Sequence, residues 1–342
     1  MLIHHLISFP DKILSENAPV FLTEMGGVVL YEIGCFGKIC VAIFAFLNGY
    51  LIFCNYDHYI QAGYRFRKVL SLLIKYWVVL LILFSIGYLF GEYLPKGLLF
   101  VANLFGFCTN TNQYLGVGTG WYIGFYIIVI LLVLILFIRK KNSRRVIWFI
   151  LMVLLYYLKN HNYSSSEIQK LINNLYFYIP IVLIGFSCAE QGVIIRLTKS
   201  FNKIISKNIR WCVDILCMPA VFFLRLIINH FLHDYVYVDW IIIVPFILVA
   251  LWVYSNTIIN KISLCKFAGH ITNIWLLHSF IFSPNGSMQY FAYWPRLAVI
   301  VIIWTLVLCF CVSIAITPIQ NLIVKNIDRL IINGAIRTKK RK

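Results

Sequence analysis

The stretch "WYIGFYIIVILLVLILFI", Trp121–Ile138, carries no charged residue over its whole length. A bilayer core of about 30 Å needs roughly 20 apolar residues rising 1.5 Å each. The run therefore reads as a membrane-spanning helix, with an aromatic pair at one end and the basic block Arg139, Lys140, Lys141, Arg144 and Arg145 at the other. A second run, "LAVIVIIWTLVLCFCVSIAI" (Leu297–Ile316), has the same character. The whole chain follows suit: of 342 residues, 61% are hydrophobic and only 12% charged, too apolar for a soluble domain of this length.

Working outward from Trp121–Ile138, the hydropathy pattern predicts an all-α, polytopic integral membrane protein of about ten transmembrane helices in one domain over residues 1–342. The expected spans are a fragment up to residue 9, then 35–54, 69–90, 120–138, 146–159, 173–191, 211–230, 239–259, 267–284 and 296–317. The segment "LPKGLLFVANLFGFC" (Leu94–Cys108) is apolar but short, and reads as re-entrant, interfacial or an extra span. "GVGTG" (Gly116–Gly120) reads as a flexible loop before a helix. Of the ten cysteines, Cys40, Cys54, Cys188, Cys217, Cys309 and Cys311 sit within apolar runs without metal-ligand spacing. They read as packing residues, and no metal is expected.

The net charge of +18 is not spread as a nucleic-acid-binding surface would be. Sorted by alternate loops, one set holds Arg65, Arg67, Lys68, the block at 139–145, and Arg196, Lys199, Lys203, Lys207 and Arg210. Lys261, Lys266 and a basic tail over residues 325–342 belong to the same set. The other loops hold most of the acids, among them Asp11, Glu16, Glu24, Glu32, Glu92, Glu167, Asp234 and Asp239. The positive-inside rule then predicts a multi-pass plasma (inner) membrane protein with a cytoplasmic C-terminus and an outer Asp11–Glu32 loop. The partners expected from charge are anionic lipid headgroups, not nucleic acid. About nine residues precede that outer loop, too few to cross a bilayer; this predicts an incomplete first helix whose start lies upstream of Met1, or a shortened one.

Ionisable groups inside spans are costly and tend to be functional. The candidates are His4, His5, Lys38, Lys75, Glu190, Asp214, Arg225, His230 and His278. His278 follows Lys266 by twelve residues, which puts it about 18 Å from the basic end of its helix. His4 and His5 lie just before the outer loop, so two helices deliver histidines to the outer half of the membrane. A histidine there suits general-base work near neutral pH, or a buried hydrogen bond. Arg225 falls at similar depth, as a buried ion pair or a substrate contact. Arg65, Arg67 and Lys68, in "YRFRKVLSLLIKYW", read as a topology anchor or as a clamp for a cytosolic phosphate-bearing molecule. The P-loop, HExxH and GxSxG patterns are missing from the sequence, so ATP-driven transport, zinc proteolysis and α/β-hydrolase chemistry lack support.

Four stretches in order resemble the transmembrane acyltransferase-3 family in its stand-alone form. "GKICVAIFAFLNGYLIF" (Gly37–Phe53) is similar to its second helix, with Asn48 where Ser is usual. "RFRKVLSLLIKYW" (Arg65–Trp77) is similar to its basic run into a Tyr/Trp, and "GWYIGFYIIVIL" (Gly120–Leu131) to its Trp-led central span. "FAGHITNIWLLHSFIF" (Phe267–Phe282) is similar to its late His-containing helix, and "MLIHHLISFP" to the end of its first. The resemblance implies transfer of an acyl group, typically acetyl, from cytosolic acyl-CoA to a hydroxyl of an extracytoplasmic polysaccharide or lipid-linked glycan. It implies His5 as general base, with His4 as neighbour or substitute and His278 as rival. It implies Arg65, Arg67 and Lys68 at the acetyl-CoA phosphates; Arg225 and Trp121 stand as candidate substrate contacts apart from it. A flippase or transporter for lipid-linked sugars, or a glycan polymerase, is the competing class. The sequence shows neither internal repeats nor a long outer loop in their favour.

Overall fold

A computed structural model describes residues 1–9, 13, 15–107, 115–138, 140–161, 163, 165–204, 210–232, 235–256, 268–282 and 286–339. Asp11, Lys12, Arg139, Lys207, Asp234, Lys261, Lys266, Phe267 and the last three residues of the basic tail lie outside them, as do the side chains of Asp214 and His230. The described residues are 82% helical and form no strand.

In chain order, α1 (Leu2–Ile7) precedes a 3₁₀ turn at Ser15–Asn17, then α2 (Glu24–Gly37), α3 (Ile39–Cys54), α4 (Tyr56–Tyr59), α5 (Ala62–Leu89) and α6 (Gly97–Leu104). There follow α7 (Trp121–Leu131), α8 (Val133–Leu136), α9 (Lys141–Lys159), α10 (Ser166–Glu190), α11 (Val193–Ile204), α12 (Arg210–Leu232) and α13 (Tyr235–Asn256). Next is α14 (Ile271–Leu277), which runs into a 3₁₀ turn at His278–Phe282, and then α15 (Gln289–Tyr293) and α16 (Ala298–Lys339).

Among the described residues, four helices are long and apolar enough to cross a membrane unaided: Glu24–Cys54, Ala62–Leu89, Ser166–Glu190 and Ala298–Arg329. Four shorter apolar helices accompany them, at Trp121–Leu131, Pro219–Asn229, Tyr237–Leu251 and Ile271–Ile281. Several of the ten expected spans thus fall short of full length as continuous apolar helix, for identifiable reasons. The run at 121–138 breaks after Leu131, the His278 helix turns 3₁₀, and α9 opens on the basic sequence Lys141–Arg145. The first long helix also starts earlier than expected. Residues 24–32 are helical, not loop, because the Thr23 hydroxyl accepts the Gly26 N–H at 3.0 Å and an acid, Glu24, occupies the first turn.

The chain forms two compact units interleaved in sequence: Tyr31–Tyr59 with Ile135–Ala268 (and Met1), and Leu2–Leu30 with Ile60–Leu134 and Gly269–Lys342. In the first, α3 lies against α10 so closely that a Cβ added at Gly49 would come 1.8 Å from the Val182 carbonyl oxygen. One added at Gly185 would come 2.1 Å from that of Phe46. Paired glycines give apolar helices van der Waals contact that lipid cannot supply. At one end of this pair, Arg144 Nη2 of α9 donates to both carboxylate oxygens of Glu190 of α10, at 2.5 and 2.6 Å.

In the second unit polar side chains link helices that lipid would otherwise leave weakly associated. Asn273 of α14 and Gln320 of α16 exchange hydrogen bonds at 2.8 and 3.0 Å, and Gln320 also donates to the Lys75 carbonyl of α5 at 3.1 Å. The Tyr76 hydroxyl and Trp77 indole of α5 donate to the carbonyls of Asn103 and Leu104, both at 2.8 Å. The Leu94–Cys108 stretch is therefore no span of its own: α6 has eight residues and is pinned to α5. It turns at Gly106 (φ 73°), where a Cβ would lie 2.3 Å from the Gly120 carbonyl oxygen.

Candidate functional site

The site is built on α1 and the α14 turn, both in the second unit. In "LIHHLI" the apolar residues Leu6 and Ile7 are buried and anchor a helix of only six residues. The Tyr293 hydroxyl donates to the Leu6 carbonyl at 3.1 Å, fixing α1 one residue past His5. From α14, His278 enters fully buried. The two rings meet with His5 Nδ1 2.7 Å from His278 Nε2 and centroids 4.8 Å apart.

Chemistry assigns the protons. His278 Nδ1 lies 3.2 Å from the Ile274 carbonyl oxygen, which only accepts, so Nδ1 carries hydrogen. The Ile274 oxygen also takes the His278 backbone N–H, as the last α-helical bond before the 3₁₀ turn. With both rings neutral, His278 Nε2 is then an acceptor and His5 Nδ1 must donate to it. This leaves the lone pair of the His5 ring on Nε2, the atom able to take a proton from a substrate.

His4 is the neighbour and not the pair member. Its ring lies 5.5 Å from that of His5 and edge-on to Phe9 at 4.9 Å. Next to His278, the Ser279 hydroxyl is 2.9 Å from that of Thr119, which also donates to the Trp275 carbonyl at 3.3 Å. Thr119 belongs to "GVGTG", and here the expectation of a flexible loop is corrected. Leu115, Val117 and Thr119 are buried, because the Thr119 hydroxyl finds two polar partners on the His278 segment. Sequence reasoning missed Thr119, Ser279 and Tyr293; the one available signal was that a hydroxyl residue stood inside an otherwise Gly/Val loop.

The basic residues are distributed differently. Arg65, Arg67 and Lys68 lie on the first turns of α5, also in the second unit. Arg65 and Lys68 share a face at i, i+3, whereas Arg67 points about 200° away from Arg65. Both arginines are half-buried, and Arg65 Nη1 and Arg67 Nε are buried without a hydrogen-bond partner among the described residues. Lys68 is exposed, its ammonium 5.4 Å from the Tyr64 ring. Trp121 opens α7 half-buried, edge-on to Tyr122, which in turn packs on Trp275 of the His278 helix.

Arg225 has an ion-pair setting. It belongs to the first unit, where it is fully buried and 2.8 Å from Asp239, itself fully buried. Its Nη1 donates to the Cys35 carbonyl at 3.1 Å and its guanidinium faces the Phe36 ring at 5.4 Å. The guanidinium is thus engaged within the protein, and Asp239, read from sequence as a loop acid, is its counter-ion.

A family model described as an acyltransferase domain matches residues 1–317. The chain belongs to the acyltransferase-3 family. The match includes α1, the basic start of α5, and α14 with its 3₁₀ turn, and so every residue of the histidine site. With its long apolar helices, this acyltransferase-3 member is a membrane protein. Neither the curated proteins nor the solved structures yield a match to it.

Proposed function

We propose that this acyltransferase-3 protein moves an acyl group, typically acetyl, from cytosolic acyl-CoA to a hydroxyl of an extracytoplasmic polysaccharide or lipid-linked glycan. The observation that carries the reading is the His5–His278 pair at 2.7 Å, half-buried on the His5 side and fully buried at His278, on a chain of an acyltransferase family. His5 Nε2 takes the proton of the acceptor hydroxyl as its oxygen attacks the thioester carbonyl. The tetrahedral intermediate collapses, the C–S bond breaks, and the proton passes from His5 to the departing thiolate. The products are the ester and free CoA. His278 touches no substrate in this scheme; it positions His5 and fixes its tautomer. The direct test is release of free CoA thiol by the purified protein, which must require the acceptor glycan. Thiol release independent of any acceptor, or none at all, refutes the reading.

Arg65 and Arg67 hold the donor phosphates in this proposal, supported by guanidinium nitrogens that are buried and unpartnered among the described residues. A lost charge-assisted hydrogen bond costs about 1.5–3 kcal/mol. Arg67→Ala is expected to raise the KM for acyl-CoA by roughly 10- to 150-fold at that cost, with kcat little changed. An unchanged KM at normal membrane levels assigns these residues to topology alone.

The charge asymmetry supports a plasma membrane location with the basic loops and C-terminus in the cytoplasm and the Ser15–Phe21 loop outside. Asn17 is buried, so the accessible probe position in that loop is its exposed neighbour Glu16. Glu16→Cys is expected to react with a membrane-impermeant maleimide in intact cells, while a C-terminal fluorescent fusion fluoresces. Protection of the cysteine until the membrane is opened reverses the orientation.

A further inference from the structure

We propose that a groove between α9 and α10, with α11 at its mouth, binds an anionic phospholipid from the leaflet that faces the basic loops. The groove encloses about 440 Å³ and belongs wholly to the first unit. Trp148 and Met152 line it from α9, Pro180, Ile184 and Ser187 from α10, and Val193 from the start of α11. From Pro180 to Gln191 it runs about 16 Å at 1.5 Å per residue, a length that suits one extended acyl chain. Its wall is apolar except for Ser187 and Gln191, and both lie toward the α11 end. Pro180, inside α10 and on the groove wall, cannot donate to the carbonyl four residues back, so the helix lacks one hydrogen bond there.

The charge sits at that same end. Helix α11, "VIIRLTKSFNKI", separates into two stripes. Ile194, Leu197 and Phe201 recur at i, i+3 and i+7, and Arg196, Lys199 and Lys203 repeat the spacing about 200° around. Leu197 and Phe201 stay exposed, as do all three cations. A short helix with an exposed apolar stripe and a cationic one lies in a membrane interface, apolar face down and cations at the headgroups. Lys141 and Arg145, both exposed at the start of α9, add charge beside Arg144, whose guanidinium is occupied by Glu190 and stacks at 5.4 Å over the groove residue Trp148. An apolar slot with cations at one end only complements an anionic lipid, chain in the slot and phosphate at α11. A second protein helix would leave these cations unmatched.

The test uses the full-length protein in nanodiscs of equal phosphatidylglycerol and phosphatidylcholine, released for native mass spectrometry. Phosphatidylglycerol should be retained at least tenfold over phosphatidylcholine, and 10 mM-scale inorganic phosphate should not displace it if the chain contributes. Arg196→Glu/Lys199→Glu, at exposed positions, should remove the preference while leaving the fold intact. Bromine on the acyl chain should quench the wild type more than Trp148→Phe, which reads the chain in the groove without a bulky substitution. Equal retention of the two lipids, or retention unaffected by charge reversal, overturns the proposal. So does quenching that ignores Trp148, which would leave the groove to a protein helix and the cations to non-specific surface attraction.

Discussion

Alanine at His5 is expected to lower acyl transfer by about 10²–10⁴-fold, the usual worth of a positioned general base, at unchanged membrane levels. His4→Ala should do less, because its ring lies edge-on to Phe9 while His5 holds the contact to His278. The graded behaviour of His278 is the sharper check. His278→Ala deletes the acceptor that keeps hydrogen on His5 Nδ1, so activity falls through loss of the correct tautomer. His278→Gln restores an acceptor oxygen on that side and should recover part of the rate. A His278 that were itself the base would be rescued by no amide. Release of free CoA thiol in the presence of acceptor, followed for the four variants, separates these cases.

Removing Arg225 is expected to cost the protein its fold, not its chemistry. Arg225 and Asp239 are both fully buried and 2.8 Å apart, and breaking such a pair from one side costs about 3–5 kcal/mol, because a charge is left without its partner. Arg225→Ala should therefore sharply reduce the yield of detergent-stable protein and lower its thermal midpoint. The double variant Arg225→Met/Asp239→Leu removes both charges, and should regain stability together with activity. A well-folded but inactive Arg225→Ala protein would instead make Arg225 a substrate contact.

These residues show how far a sequence carries. Membrane character and most helix positions were legible because a bilayer imposes a length and a hydropathy on each span, and runs such as Leu297–Ile316 display both within one window. That His5 and His278 belong among the candidates was legible because each interrupts an apolar run. Their contact was not: 273 residues separate them, and nothing local fixes which ring nitrogens face each other. Arg225 and Asp239 were both visible as charges, yet their pairing joins two helices that hydropathy treats independently. The buried role of Thr119 was hidden for a different reason. Glycine-rich sequence reads as loop, and nothing local signals that Thr119 packs against Ser279, 160 residues away.

In the function proposed above, this protein places acyl groups on an outer glycan through His5. Mass spectrometry of the surface glycan measures it most directly, comparing cells with the wild-type protein, with His5→Ala at a matched membrane level, and with none. Repeat units are expected to be heavier by whole acyl groups in the wild type alone, on chains of equal length in all three. Full acylation with His5→Ala, or chains that shorten or vanish without the protein while their repeat units keep one mass, would contradict it.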